Sequence, residues 1–229
     1  MALVEIRDVH KSFQRDTQRI EVFTGLTLDI DDGSFTAVMG PSGSGKSTLL
    51  NLIAGLDKPT SGTVQVAGAV VSAMAPGELA RWRSRHVGFV FQSFNLLPVL
   101  TAYQNVELPL LLTSLTKKER DERVRIALGV VGLEDRMHHY PRQLSGGQEQ
   151  RTAIARAIVA DPTLTMLDEP TGQLDAKSSL EVLALLQRLN TEFKKTIIIV
   201  THDAHAAERA TTTLHLEKGD LVEKGVVAR

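Results

Sequence analysis

The sequence contains no cysteine, so disulfides, thiolate-bound metals and cysteine nucleophiles are all excluded. It also lacks an uncharged apolar run of the roughly 20 residues that a membrane-spanning helix requires. The longest apolar stretch, residues 101–115, is interrupted by Glu107 and Pro109. Neither sign of charge dominates, because 26 lysines and arginines face 27 aspartates and glutamates. This balance argues against nucleic acid as a partner bound through overall charge.

The N-terminal segment differs from a secretion signal. Glu5, Arg7 and Asp8 carry charge where a signal peptide would be apolar. The 229 residues are 42% apolar and 23% charged, which is typical of a globular chain with one large domain or a core and a smaller lobe. We therefore expect a cytoplasmic protein that reaches a membrane only through a partner.

Hydrophobic periodicity predicts an α/β fold. Apolar residues alternate in a strand-like way over the first thirty residues, up to a turn at Asp31-Asp32-Gly33. Short apolar runs predict strands at residues 35–39, 87–91, 164–167 and 196–200. Helical spacing predicts helices at residues 48–55, 117–131, 148–159 and 180–189. The pattern indicates a parallel core sheet that is interrupted by a mostly helical insert.

The clearest chemical motif is a glycine-rich loop between the strand at 35–39 and the helix that follows it. It fits G-x-x-x-x-G-K-[ST], in which backbone N–H groups wrap a phosphate and the helix adds its positive N-terminal dipole. Lys46 is expected to reach the β- and γ-phosphates, and the Ser47 hydroxyl to bind Mg²⁺. The flanking elements favour a nucleoside triphosphate site over a plain glycine-rich turn. The loop consists of Gly40, Pro41, Ser42, Gly43, Ser44, Gly45, Lys46 and Ser47.

Two carboxylates, Asp168 and Glu169, follow the strand at 164–167. An acidic residue at the carboxyl end of a strand beside a phosphate loop can hold Mg²⁺, and a second one can accept a proton from an attacking water. Taken alone, the two positions are equally well explained as an acidic pair that caps a helix N-terminus, where aspartate and glutamate are common.

A second possible anion site is the segment Leu144-Ser145-Gly146-Gly147-Gln148, which precedes a helix rich in arginine and alanine. Its N–H groups at a helix N-terminus suit an anion. A helix cap with glycine turns explains the same residues, and their chemistry alone leaves both interpretations open.

Taken together, LSGGQ, GPSGSGKST upstream and LDEPTGQLD downstream resemble the nucleotide-binding domain of ATP-binding cassette (ABC) proteins. Six motifs occur in the family's order over essentially the whole chain. The resemblance implies a P-loop NTPase (RecA-like) core with an antiparallel β subdomain, at about residues 1–92 and 160–229, and a helical subdomain at about 93–159. The cofactors that it implies are ATP and Mg²⁺.

The resemblance also implies roles for individual residues. Phe13 stands where the family stacks an aromatic ring, usually tyrosine, on adenine, although a core phenylalanine is the alternative. Gln92 resembles the glutamine that contacts Mg²⁺ and the attacking water. Asp168 matches the Mg²⁺-binding aspartate, Glu169 the general base, and His202 the histidine that holds the γ-phosphate. Thr48 completes the phosphate loop.

In this family two chains pair head to tail and sandwich two nucleotides between them. The signature residues then contact the nucleotide held by the partner, and a loop at Leu174 and Asp175 crosses the interface. In this chain the matching signature residues are Ser145, Gly146, Gly147 and Gln148.

The segment FVFQSFNLLPVLTAYQNVELPLLL resembles the subfamily of macrolide and peptide exporters and the lipoprotein-releasing ATPase. This resemblance implies a membrane subunit with four helices and a large periplasmic domain. The segment's apolar residues either belong to the core of the insert or receive a coupling helix of an integral membrane permease subunit. The expected contact lies near Phe94, Leu96, Leu97, Pro98 and Leu100.

Two functions fit these motifs. The first is the ATP-hydrolysing motor subunit of a transporter for export or lipoprotein extraction. The second is a regulatory ATPase of a cell-division-type membrane complex that transports nothing. A soluble P-loop kinase would leave LSGGQ without a role, and no nucleic acid is expected as a partner.

Overall fold

The computed structural model describes residues 1–15 and 18–222, so the last seven residues of the predicted domain, 223–229, lie outside it. Within the described residues the strands are β1 Ala2–Arg15, β2 Gln18–Asp31, β3 Phe35–Met39, β4 Ser61–Val66, β5 Ala69–Val70, β6 Val87–Val90, β7 Leu164–Asp168, β8 Thr196–Thr201, β9 Thr212–Glu217 and β10 Asp220–Val222. The α-helices are α1 Lys46–Ile53, α2 Pro76–His86, α3 Ala102–Glu107, α4 Lys117–Val130, α5 Gly146–Ile158, α6 Ala176–Thr191 and α7 Ala204–Ala207.

The central sheet has six strands in the order β10-β9-β3-β8-β7-β6. Strands β9, β3, β8, β7 and β6 are parallel, and β10 pairs antiparallel at the edge. All six residues of β8 are buried, as its β-branched sequence predicts for a strand covered on both faces. Because the strands are parallel, the segments that follow β3, β7 and β8 meet at one edge of the sheet.

A second, antiparallel sheet has the strand order β2-β1-β4-β5. Helix α1 is buried between the two sheets: Leu49 and Ile53 belong to one apolar cluster with Val4 of β1, Val64 of β4 and Ile198 of β8. The loop that precedes α1 is therefore held at a fixed place on the sheet edge, because both of its flanking elements are buried.

The residues between β6 and β7, all of which the structure describes, form helices and turns without a strand. Helix α4 buries Val124, Ala127 and Leu128, as its spacing predicts. A threonine or serine caps each of α3, α4 and α5 in a capping box. This helical segment agrees with the unit expected at residues 93–159, whose limits remain a prediction.

Helix α2 and strands β9 and β10 were not predicted. Helix α2 buries only Leu79 and Trp82 and begins with Pro76-Gly77, so its apolar pattern is weak. Strand β9 mixes threonine and histidine with Leu214 and Leu216, which hides its alternation. No helix in the described part of the chain is long and apolar enough to cross a membrane.

Candidate functional site

A cleft of about 570 Å³ opens at the edge where β3, β7 and β8 end. Every residue that lines it, except Val22 of β2, was singled out from the sequence. Val22 gave no signal, because an isolated valine on a strand has no chemical signature. The cleft is lined by Val22, Ser42, Gly43, Gly45, Lys46, Ser47, Thr48, Gln92, Asp168, Glu169 and His202.

The glycine-rich loop is shaped by close backbone contacts and by one lysine. A Cβ atom on Gly40 would lie 2.1 Å from the carbonyl oxygen of Leu216, so only glycine fits there. Gly45 caps α1 with φ 102°, and within the described residues no side chain caps this helix N-terminus. The Lys46 ammonium donates to the carbonyls of Gly40 at 2.8 Å and Pro41 at 3.1 Å. The loop therefore places a cation beside uncapped N–H groups, as a phosphate requires.

Asp168, at the end of β7, has the environment of a metal ligand. Burial raises the pKa of its carboxyl, and a hydrogen bond from the Ser47 hydroxyl opposes that rise. Its Oδ1 atom is buried and has no hydrogen-bond partner among residues 1–15 and 18–222. A carboxylate with a free lone pair beside a hydroxyl suits Mg²⁺, which takes oxygen ligands. Within the described residues, no three or more histidine, cysteine, aspartate or glutamate side chains are grouped so that they could hold a metal ion.

Glu169 and His202 face each other across the ends of β7 and β8. Glu169 has φ 48°, in the left-handed region, and its N–H donates to the carbonyl of Val200 at 2.9 Å. Nδ1 of His202 lies 2.9 Å from Oε2 of Glu169. The Glu169 side chain is 12% exposed and that of His202 71% exposed. A carboxylate held in this way can accept a proton from a water in the cleft.

The signature residues do not line the cleft. Ser145 caps α5: its Oγ accepts from the N–H of Gln148, whose side chain accepts from the N–H of Ser145. Gly147 is buried against Ser178, whose hydroxyl donates to the capping carboxylate of Asp175 at 2.7 Å. The helix-cap interpretation of Ser145 and Gln148 is thus confirmed. Their anion-binding role stays a prediction, as do the other catalytic and binding roles.

A family model described as "ABC transporter" matches residues 23–172. The chain belongs to the ABC transporter family. As a member of that family the cassette is an ATP-binding ATPase, as the motifs predict. The uncharacterized ABC transporter ATP-binding protein YknY of Bacillus subtilis (strain 168) is 47% identical over 220 residues, which are 96% of the cassette and 95% of YknY.

The solved dimeric structure of the ATP-binding cassette MJ0796 in a post-hydrolysis state, bound to ADP and Pi, superposes with a TM-score of 0.91 at 40% identity. The match covers 99% of both chains, and it confirms the predicted P-loop NTPase fold. The macrolide export ATP-binding/permease protein MacB of Escherichia coli (strain K12) is 45% identical over 96% of the cassette. The cassette spans only 34% of MacB's length.

Phe13 lies on β1, outside the residues that line the cleft. It is 41% exposed, so the alternative interpretation of a core phenylalanine is wrong. The Lys11 ammonium stands 4.5 Å from the centre of its ring and contacts Asp57 at 2.7 Å. One part of the ring is thus occupied by a buried lysine, and the exposed part remains accessible to a planar ligand.

Two polar residues of α5 were missed from the sequence. Gln150 is 1% exposed and donates from Nε2 to the carbonyl of Pro170 at 2.9 Å, next to Glu169. Arg156 donates to two carbonyls that follow Gln92 in the chain. The one signal in the sequence for Gln150 was its position, because a polar residue there falls on the buried face of a predicted amphipathic helix.

The apolar run predicted to meet a membrane partner is divided between two environments. Phe94 and Leu96 are partly buried and pack against the apolar cluster that the helical segment shares with strands β3, β6, β7 and β8. Leu97 is 45% exposed and Val99 78% exposed. The core interpretation therefore applies to Phe94 and Leu96, and a contact of the exposed residues with a membrane partner stays a prediction.

Proposed function

We propose that this cassette is the ATP-hydrolysing motor subunit of an ABC transporter that serves export or lipoprotein extraction. Dimer closure around ATP would change the conformation of a separate membrane subunit. The observation that carries the proposal is that the signature segment Ser145–Gln148 lies apart from the cleft in the same chain. Each chain has half of a site at the cleft and a second set of N–H donors elsewhere, so a head-to-tail homodimer would complete two sites.

The described residues support a hydrolysis step within the cleft. Lys46 would neutralise β- and γ-phosphate charge, while Glu169 takes a proton from the attacking water. His202, with Nδ1 donating to Glu169, would hold the γ-phosphate as an imidazolium that donates from Nε2. Asp168, Ser47 and Gln92 would hold Mg²⁺, which supplies charge neutralisation between the phosphate oxygens when bound.

The proposed permease contact lies near Phe94–Leu100. Exposed Leu97 and Val99 supply its apolar surface, and the partly buried Phe94 and Leu96 anchor that surface to the core. The relative MacB, by its name, is an ATP-binding protein and a permease in one chain, and the cassette matches 34% of it. We infer that a separate permease holds the cassette at the inner face of the cytoplasmic membrane.

The test is an affinity capture from detergent-solubilised native membranes with tagged Glu169→Gln, ATP and Mg²⁺, read by mass spectrometry. Lys46→Ala serves as the control that does not hold ATP. A second control, Val99→Asp, changes the proposed contact while leaving the cleft intact. Recovery of a four-helix membrane protein with a large periplasmic domain, reduced by Val99→Asp, is the expected result. Division or wall-hydrolase proteins instead would point to a regulatory ATPase, and the absence of any membrane protein would contradict the proposed contact.

A further inference from the structure

One arginine joins the signature helix α5 to the loop at residues 94–100. Arg156 donates from Nη2 to the carbonyl of Phe94 and from Nη1 to the carbonyl of Asn95, both at 2.6 Å. Burial lowers the pKa of this guanidinium, which stays charged because the ordinary pKa of arginine is so high. Two short bonds from one rigid, charged group to adjacent carbonyls fix both the position and the direction of the backbone.

The backbone that Arg156 holds is strained. Phe94 has φ 56° and Asn95 has φ 50°, so two consecutive residues with side chains adopt the left-handed region. Such a conformation is uncommon for a bulky residue and persists only where the surroundings impose it. The guanidinium is therefore one of the contacts that hold this shape, together with the hydrogen bond from the N–H of Phe94 to the carbonyl of Phe91 at 3.1 Å.

The remainder of the 94–100 loop is fixed by a different element. Asn105 of α3 is fully buried, accepts from the N–H of Leu97 at 2.8 Å and donates to the carbonyls of Leu97 and Leu100 at 3.1 Å. The first residues of the loop are thus attached to α5 and the later ones to α3. Helix α5 packs against both α3 and β6, so the two helices that hold the loop are in contact with each other, and α5 also contacts the central sheet.

Helix α5 also contacts the backbone next to Glu169, the proposed proton acceptor. Gln150 donates to the carbonyl of Pro170, which follows Glu169, and Ser145 stands at the N-terminus of the same helix. A helix of 13 residues is about 20 Å long and behaves as a stiff element. A displacement at its Ser145 end is therefore transmitted to Arg156.

We propose that Arg156 is a positioning residue that makes the 94–100 loop move with α5 when ATP engages the signature segment. This inference deepens the proposed function, on which it rests for the loop's contact with a membrane subunit. Arg156 touches neither nucleotide nor reacting atoms in this scheme. It carries the nucleotide state to the surface made by Leu97 and Val99.

The test is hydrogen–deuterium exchange of the peptides that cover residues 91–101, in the Glu169→Gln background with Mg²⁺ and either ATP or ADP. With Arg156 present, we expect exchange in these peptides to differ between ATP and ADP. In Arg156→Met, exchange is expected to be at least about tenfold faster, because two charge-assisted bonds are lost, and to be the same with both nucleotides. Arg156→Lys keeps the charge but loses the paired geometry, so its exchange rate should lie between those of the parent protein and Arg156→Met.

Arg151→Met is the matched control, since Arg151 lies on the same helix but donates to the carbonyls of Gly147 and Val131, both at 3.4 Å. It should retain the difference between ATP and ADP. The proposal is overturned by an Arg156→Met variant that keeps this difference, by a parent protein that never shows it, or by loss of ATP binding in Arg156→Met. Capture of a membrane protein from native membranes is scored separately, so the proposed permease contact and the role of Arg156 can fail independently.

Discussion

The imidazole of His202 lies directly against the carboxylate of Glu169, with Nδ1 3.0 Å from Oε1 and 2.9 Å from Oε2. The backbone N–H of His202 also donates to Oε2 at 3.4 Å. Glu169 thus receives its orientation from the segment after β8, although it belongs to the segment after β7. The pairing holds the proposed proton acceptor over the cleft, and Nε2 of His202 would donate to a phosphate when the ring carries both protons.

The contact predicts a selective loss of turnover in His202→Ala. Without the imidazole, Glu169 loses its side-chain partner and the γ-phosphate loses a donor, so kcat should fall by about 10²-fold or more while KM for ATP changes little. Steady-state phosphate release measures both constants. His205→Ala is the matched control, because His205 is 83% exposed and faces Glu208. A His202→Ala enzyme with the kcat of His205→Ala would contradict the proposed role.

Glu169→Gln should separate binding from hydrolysis. The amide has the shape of the carboxylate but cannot accept the proton of the attacking water, so kcat should fall by about 10²- to 10⁴-fold. ATP binding should persist, and a dimer should accumulate on size-exclusion chromatography with ATP and Mg²⁺. A variant that stays monomeric at saturating ATP and at high protein concentration would contradict the sandwich model.

The cleft could be predicted from the sequence because its residues lie in short segments that follow parallel strands. Ser47, Asp168 and His202 are far apart in the chain, yet each lies at or just after the end of β3, β7 or β8. Strand order need not be known for these segments to meet at one edge.

Contacts within the helical segment could not be predicted in the same way. Arg156 lies 61 residues from Asn95, and no periodic pattern specifies which carbonyl an arginine will reach. The apolar run near Leu97 was ambiguous for a similar reason, since core and surface positions alternate irregularly in a loop. Burial there depends on α3 and α5 packing together, which is a tertiary effect.

Lys46→Ala should abolish tight nucleotide binding. Lys46 is 8% exposed and directs its ammonium at the phosphate loop, so its loss removes the cation beside the loop N–H groups. Dissociation constants for a fluorescent ATP analogue should rise by at least about tenfold, as expected for the loss of a charge-assisted bond. Lys58→Ala is the control, because Lys58 donates to the carbonyl of Met74 outside the cleft. Equal affinities in the two variants would contradict the loop assignment.

Asp168→Asn should stabilise the magnesium-free protein at neutral pH. Because burial raises the pKa of Asp168, the folded state binds its proton more tightly than the unfolded state does. The stabilisation from that proton is complete below the ordinary pKa of aspartate and is lost as the pH rises through the raised value. The neutral amide avoids that loss, so Tm in EDTA should be a few degrees higher than for the parent at about pH 7.5.

The Tm advantage of Asp168→Asn should shrink as the pH is lowered toward about 4, where the parent carboxyl becomes protonated. Thermal unfolding followed by circular dichroism measures it. With Mg²⁺ and ATP the order should reverse, because only the carboxylate binds the metal strongly. Equal Tm values in EDTA, or an equal gain from Mg²⁺ and ATP, would contradict the assignment of Asp168.

The two glycines of the signature segment should respond differently to alanine. A Cβ atom on Gly147 would lie 2.7 Å from Oγ of Ser178, whereas one on Gly146 would meet nothing closer than 3.6 Å. Gly147→Ala should therefore lower the free energy of unfolding in urea by about 1–3 kcal/mol, the usual cost of overpacking. Adding Ser178→Gly removes the clashing atoms and should restore part of that loss. An undiminished loss in the double variant would show that the Ser178 contact is not its cause.

Gly146→Ala then separates the two roles that the sequence left open for this segment. Its added methyl group fits at an ordinary contact distance from Leu174, so the free energy of unfolding should change by no more than about 0.5 kcal/mol. If the segment only caps α5, ATPase activity should also stay unchanged. If its N–H groups meet the partner's nucleotide, the methyl group at the helix N-terminus obstructs that approach, and ATP-dependent dimerisation should weaken at unchanged stability. Analytical ultracentrifugation of Gly146→Ala in the Glu169→Gln background distinguishes the two, and we expect the weaker dimer.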